Sequence, residues 1–116
     1  MNVVEALKKE GFNVKSDTHV LGDSSINHNT EILVMKESRP VACVKISERI
    51  NAEESIAVLA TCVDTNIPQI VIAEKASLEA KRVLSSRSDV SLIEGFSDEA
   101  VRECIRRIKQ LSSGEK

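Results

Sequence analysis

Val41-Ala42-Cys43-Val44-Lys45-Ile46 is the stretch on which the fold of this chain turns. It is a short apolar run, rich in β-branched residues, with one lysine inside it. Side chains alternate between the two faces of a strand, so Cys43 and Lys45 share one face while Ala42, Val44 and Ile46 share the other. A buried ammonium is costly unless it is paired. Lys45 therefore either takes part in chemistry or marks the end of the strand that meets water. Just upstream, Thr30-Glu31-Ile32-Leu33-Val34-Met35 is a second apolar run carrying a single carboxylate. Glu37-Ser38-Arg39-Pro40 is a tight connection between the two.

Working outward from this pair, a first helix runs from Asn2 to Glu10. Asn2 is its N-cap, Val3, Val4 and Leu7 form its apolar stripe, and Gly11 stops it. Phe12 to Leu21 alternates weakly and reads as a strand, and Gly22 to Asn29 as a loop of turn formers. Glu31 to Lys36 is the second strand and Val41 to Ile46 the third. Asn51 opens a helix with Glu54 as its capping-box partner, and Ile56, Leu59, Ala60 and Val63 are its predicted buried face. Ile70-Val71-Ile72-Ala73, after Pro68, is a continuous apolar run of the kind found in strands covered on both faces. Ser77 to Ser86 is helical, Arg87-Ser88-Asp89 turns, and Val90 to Ile93 is a last strand. Ser97 caps a final helix with Val101, Cys104, Ile105, Ile108 and Leu111 inward.

The order is α-β-β-β-α-β-α-β-α. It predicts an α/β fold of three layers, a mixed sheet of about five strands with helices on both faces. Residues 1–111 read as one domain, and Ser112-Ser113-Gly114-Glu115-Lys116 as a flexible tail.

Composition narrows the function. Phe12 and Phe96 are the only aromatic residues, so the core is aliphatic and the chain lacks the stacking platforms of single-strand nucleic-acid modules. A net charge of −2 supplies no global attraction to phosphate, which leaves only local basic patches. Cys43, Cys62 and Cys104 are odd in number and embedded in apolar runs. They read as core thiols of a reduced intracellular protein, and neither they nor His19 and His28 have the spacing of a metal site. No segment has the apolar length of a membrane span, and the amino-terminal residues lack a signal-peptide core, so a soluble cytoplasmic protein is expected. No glycine-rich phosphate loop is present.

The element order, with an acid on the second strand and x-x-Lys on the third, resembles the PD-(D/E)xK superfamily of restriction-endonuclease-like proteins. Mrr-type restriction endonuclease domains and archaeal Holliday-junction resolvases are the most similar branches. The likeness runs from about Val3 to Glu94. Gly11-Phe12-Asn13-Val14 looks like the family's glycine-plus-aromatic lead-in to the first strand. Glu31 falls on the acid of the second strand, and Cys43-Val44-Lys45 on the (D/E/Q)-x-K tripeptide. Ile70 to Ala73 and Val90 to Gly95 resemble the later strands. In a second alignment, Gly22-Asp23-Ser24-Ser25-Ile26-Asn27 resembles the Mrr-type Gly-Asp-x-Gly-x-Asp loop, and the acidic position is then Asn27.

The resemblance implies a site of Glu31, Cys43 and Lys45, with Glu31 as a metal ligand for Mg²⁺ or Mn²⁺ if the domain is active. Such chemistry needs at least two hard oxygen ligands to hold the ion and generate hydroxide, and a lysine to steady the developing charge. Here the second acid is Cys43, a soft thiol, and the helix glutamate of the resolvases has only loose substitutes in Glu5 and Glu10. The site therefore reads as degenerate. A non-catalytic nuclease-like domain that binds nucleic acid or dimerises is the favoured reading. An active metal-dependent DNA endonuclease and an unrelated α/β ligand-binding protein are the alternatives. DNA is the implied partner, and a homodimer is plausible because related nucleases pair. Arg102, Arg106 and Lys109 share one helix face and are the candidate nucleic-acid contacts, against the plainer reading of a solvated exterior. The plainer readings elsewhere are a stem-buried Lys45 reaching water, a Glu31 in solvent or paired with Lys45, and a Cys43 that only packs.

Overall fold

The run around Cys43 becomes the middle of a five-stranded sheet. The computed structural model describes residues 2–113. They form α1 (Val3–Lys9), β1 (Asn13–Leu21), β2 (Asn27–Lys36), β3 (Arg39–Ile50), α2 (Ala52–Thr65), β4 (Gln69–Ala76), α3 (Leu78–Leu84), β5 (Val90–Glu94) and α4 (Asp98–Ser112). Strand order in the sheet is β1-β2-β3-β4-β5. The first three strands are antiparallel, and β4 and β5 are added parallel to β3 through helical crossovers. The α/β class, the mixed sheet and the element order are as the periodicities predict.

Local chemistry sets the boundaries. Glu37 and Ser38 turn β2 into β3 with φ of +52° and +65°, the two left-handed positions that match the twist of a hairpin. Pro40 sits opposite Met35 where the β2–β3 register shifts, a bulge that tolerates its missing N–H. Asn51 and Glu54 form the full capping box of α2, each side chain holding the other's backbone N–H. Gly11, at φ +91°, ends the first helix as expected.

Two aliphatic layers flank the sheet. On one side, Val34, Val44 and Ile72 pack against Leu7 of α1 and Cys104 and Ile108 of α4. On the other, Val71 and Ala73 pack against Val58 and Cys62 of α2 and Ala80 and Leu84 of α3. Leu33, Cys43 and Ile67 make a smaller patch with Val20 and Met35. All three cysteines are free and buried. Among the described residues no helix is long and apolar enough to cross a membrane.

Three expectations need correcting. The predicted loop over residues 22–29 is shorter, because Asn27, His28 and Asn29 pair with Leu21, Val20 and His19. The buried face of α2 is Ser55, Val58 and Cys62, with Leu59 half-buried, whereas Ile56, Ala60 and Val63 are exposed. Ser55 faces inward because its hydroxyl donates to the Asn51 carbonyl at 2.8 Å, which removes the cost of burying it. In α4, Leu111 is exposed and Ser112 is helical, while residues 114–116 of the expected tail lie outside the described residues.

The β1–β2 tip is tied to the end of α2. Asp64 accepts from the Ser24 N–H at 2.8 Å and the Ser24 hydroxyl at 2.6 Å, and its other bond is to His28 Nε2 at 2.6 Å. Thr61 Oγ1 lies 3.2 Å from His28 Nδ1. A Cβ on Gly22 would come within 1.9 Å of the Asp64 carboxylate, so a larger residue there would have to displace that side chain from its hydrogen bonds. The Ser24 hydroxyl, then His28, hold the Asp64 carboxyl down at about 2.

Ile72→Ala, at a fully buried position, should lower unfolding stability by about 2–5 kcal/mol in urea titration. Leu111→Ala should change it by no more than about 0.5 kcal/mol. Asp64 is depressed from 3.8 to about 2, so its contribution is fully present above the unfolded value and is lost as pH falls through the folded one. Asp89, held by Arg87, and Glu103, held by Arg106 and Arg107, are depressed to about 2 in the same way. Stability should therefore fall between about pH 4 and pH 2. In Asp64→Asn that acid slope should be shallower than in the parent when the urea midpoint is followed against pH.

Candidate functional site

The site lies where β3 passes from a sealed core to open solvent. Cys43 is 3% exposed, Val44 is buried, and Lys45 is half-buried. Cys43 lies opposite Gln69 and Lys45 opposite Val71 in the parallel β3–β4 ladder. Val71 belongs to the layer under α2 and α3, which places Lys45 on that side of the sheet.

The β2–β3 ladder ends, at this edge, with Ile32 opposite Val44. Beyond it the Ile46 N–H donates to Glu31 Oε1 at 3.2 Å. The carboxylate thus stands in for a strand carbonyl and staples the two strands where their backbones part. Among the described residues, Lys45 forms no ion pair, with Glu31 or with any other carboxylate.

A hollow of about 180 Å³ opens between this end of the sheet and α2. Glu31, Cys43 and Lys45 line it from the sheet, joined by Gln69 of β4 and by Glu54 and Thr61 of α2. A shallower groove shares Glu31 and Lys45 and continues toward Asp17 and His19 of β1. The structure therefore brings together all three residues of the predicted constellation. Glu54, Thr61 and Gln69 escaped sequence reasoning as lining residues. Glu54 reads in sequence only as a cap, and Gln69 as the polar start of an apolar strand.

The chemistry of the hollow is mild. Burial pushes the Cys43 thiol up, and hydrogen bonds with Thr30 and Gln69 only partly oppose this, so it is a neutral thiol at pH 7. The Glu54 carboxylate faces its own helix start, 3.4 Å from the Asn51 N–H. Among the described residues no group of three or more His, Cys, Asp or Glu side chains is arranged to hold a metal ion. A magnesium or manganese ion asks for several hard oxygen donors. A Glu31 engaged with backbone and a protonated thiol do not fit that requirement.

The basic stripe belongs elsewhere. Arg102, Arg106 and Lys109 lie on α4, which covers the opposite face of the sheet from the hollow. Arg106 Nε donates to Glu103 at 2.9 Å, Lys109 pairs with Glu10, and Arg102 is exposed. Two of the three cations thus already have carboxylate partners, as a solvated helix face does.

No family model matches the chain, and no solved structure matches it. A protein of Archaeoglobus fulgidus, described only as uncharacterised, is 27% identical over 88 residues, which cover 76% of this chain and 69% of that protein.

Proposed function

We propose that this chain is a non-catalytic domain of restriction-endonuclease-like ancestry that serves as a nucleic-acid-binding or dimerisation module. The observation that carries the reading is the use to which the constellation has been put. Glu31 holds the Ile46 amide, and Cys43 is a buried neutral thiol where a second acid would be needed. Lys45 still lines a hollow beside them. The sheet order and strand directions are compatible with this descent, since three antiparallel strands precede a parallel fourth reached through a helix. Binding of a nucleic-acid backbone would rest on Lys45 and on charge alone, because the chain has almost no aromatic surface.

One observation favours an active metal-dependent endonuclease instead. Glu54 brings a second carboxylate from α2 to the wall of the hollow that Glu31 and Lys45 also line.

Incubation with duplex, branched and single-stranded DNA in Mg²⁺ or Mn²⁺ separates the two readings. No cleavage above a metal-free control is expected. Cleavage that disappears in both Lys45→Ala and Glu54→Gln would establish the active enzyme. Fluorescence anisotropy with labelled DNA tests the binding role. Lys45→Ala should weaken any binding evenly across sequences and lower the salt slope by about one phosphate contact.

A further inference from the structure

We infer that the groove between α4 and the starts of β4 and β5 is a binding site for the terminal phosphate of a phosphomonoester. Ile70, at its apolar side, packs with Cys104 and Ile108 of α4, so the groove lies on the other face of the sheet from the hollow. The inference does not rest on the function proposed above. The open space amounts to about 670 Å³, within the usual range of a small-molecule site. Its polar lining comes from Ser88, Ser91, Arg106, Arg107 and Gln110.

Two adjacent arginines tied to one carboxylate set this groove apart. Arg106 donates to Glu103 through Nε at 2.9 Å and through Nη2, and Arg107 donates to the same carboxylate through Nε at 2.7 Å. A guanidinium carries N–H groups on all three of its nitrogens. Among the described residues, Arg106 Nη1 and both terminal nitrogens of Arg107 have no acceptor. Glu103 therefore holds both forks in place while leaving donors available, and it sets one negative charge against two positive ones. The Arg107 side chain is only 31% exposed, so its charge is screened less than one in open water.

The rest of the lining calls for the same kind of ligand. Among the described residues, the hydroxyls of Ser88 and Ser91 and the side-chain amide of Gln110 take part in no hydrogen bond. Asp89 is the one carboxylate of the lining, and both its oxygens already accept from Arg87, at 2.8 and 2.9 Å. A groove with surplus positive charge, many donors and few available acceptors matches a compact anion with several oxygens. A terminal phosphate offers three, in the geometry that arginine forks and hydroxyls recognise. The hollow is the opposite case, with Glu31 and Glu54 beside a single lysine. A nucleic-acid strand is a poorer occupant of the groove. No aromatic side chain lines it, and its α4 wall ends on Gln110 and Leu111 rather than on further cations.

Titration of the full chain with glycerol 3-phosphate, followed through backbone amide and arginine Nε–H NMR signals, tests the inference. Saturable shifts are expected at Ser88, Ser91, Arg106, Arg107 and Gln110. Arg107→Gln should weaken the apparent affinity at least about 10-fold while the other amide signals keep their positions. Ser91→Ala leaves the Glu103 network intact and should weaken it about 3-fold, which keeps the test decisive if Arg107→Gln disturbs α4. Lys45→Ala should leave the titration unaltered, so a mistaken groove and a mistaken view of the hollow are told apart. Shifts that do not saturate overturn the inference, and so does parent-like binding by both Arg107→Gln and Ser91→Ala. Duplex DNA without terminal phosphates that moves the same signals at a lower concentration overturns it too, in favour of a nucleic-acid contact.

Discussion

The structure depends on the double coverage of β3. This strand is antiparallel to β2 on one side and parallel to β4 on the other, so it joins the hairpin meander to the two crossovers. Its two faces are sealed by different helical layers, α1 and α4 beneath Ala42 and Val44, and the α2 side above Cys43. Apolar burial on both faces is what holds a parallel strand in the middle of a sheet. The seal ends at Lys45, whose side chain is half-buried and lines the hollow. The hollow is thus a consequence of where the packing stops.

At that point a side chain takes over from the backbone as hydrogen-bond acceptor. The Glu31 carboxylate takes the Ile46 N–H, a charge-assisted bond that joins β2 to β3 beyond their last regular pair. A carboxylate used in this way has less capacity for a hard cation. With a neutral thiol at Cys43, the balance of the site shifts from holding an ion toward holding the fold together. The Asp64 network does the same for the hairpin tip. One carboxylate gathers Ser24 and His28, and it fixes the approach of β2 to the helix that forms the far wall.

Much of this was legible from local chemistry. The apolar run Ile70 to Ala73 announced a strand covered on both faces, and Asn51 with Glu54 announced a helix start; both depend only on neighbouring residues. Strand alternation alone put Cys43 and Lys45 on one face, whereas the place of Glu31 beside them was implied by the resemblance and is set by the β2–β3 pairing. The face of α2 was not legible, because two stripes at helical spacing compete there. Hydropathy favours Ile56, Ala60 and Val63, yet Ser55, Val58 and Cys62 are the ones buried. A hydroxyl that bonds its own helix backbone is buried at little cost, and no hydropathy pattern records that bond. The arginine stripe on α4 was legible as a stripe, but the pairing of Lys109 with Glu10 depends on how α1 and α4 meet.

The sequence by itself determined the element order, the α/β class, the thin aromatic content and the presence of a lysine two residues beyond a buried thiol. These are properties of periodicity, capping and composition, which act over a few residues. Tertiary structure alone decided that Glu31 bonds the Ile46 amide, that Glu54 and Gln69 join the same hollow, and that the basic stripe faces away from it. It also decided which side of α2 meets solvent. Those outcomes depend on register and on how layers dock, and both are set by contacts between residues far apart in the chain.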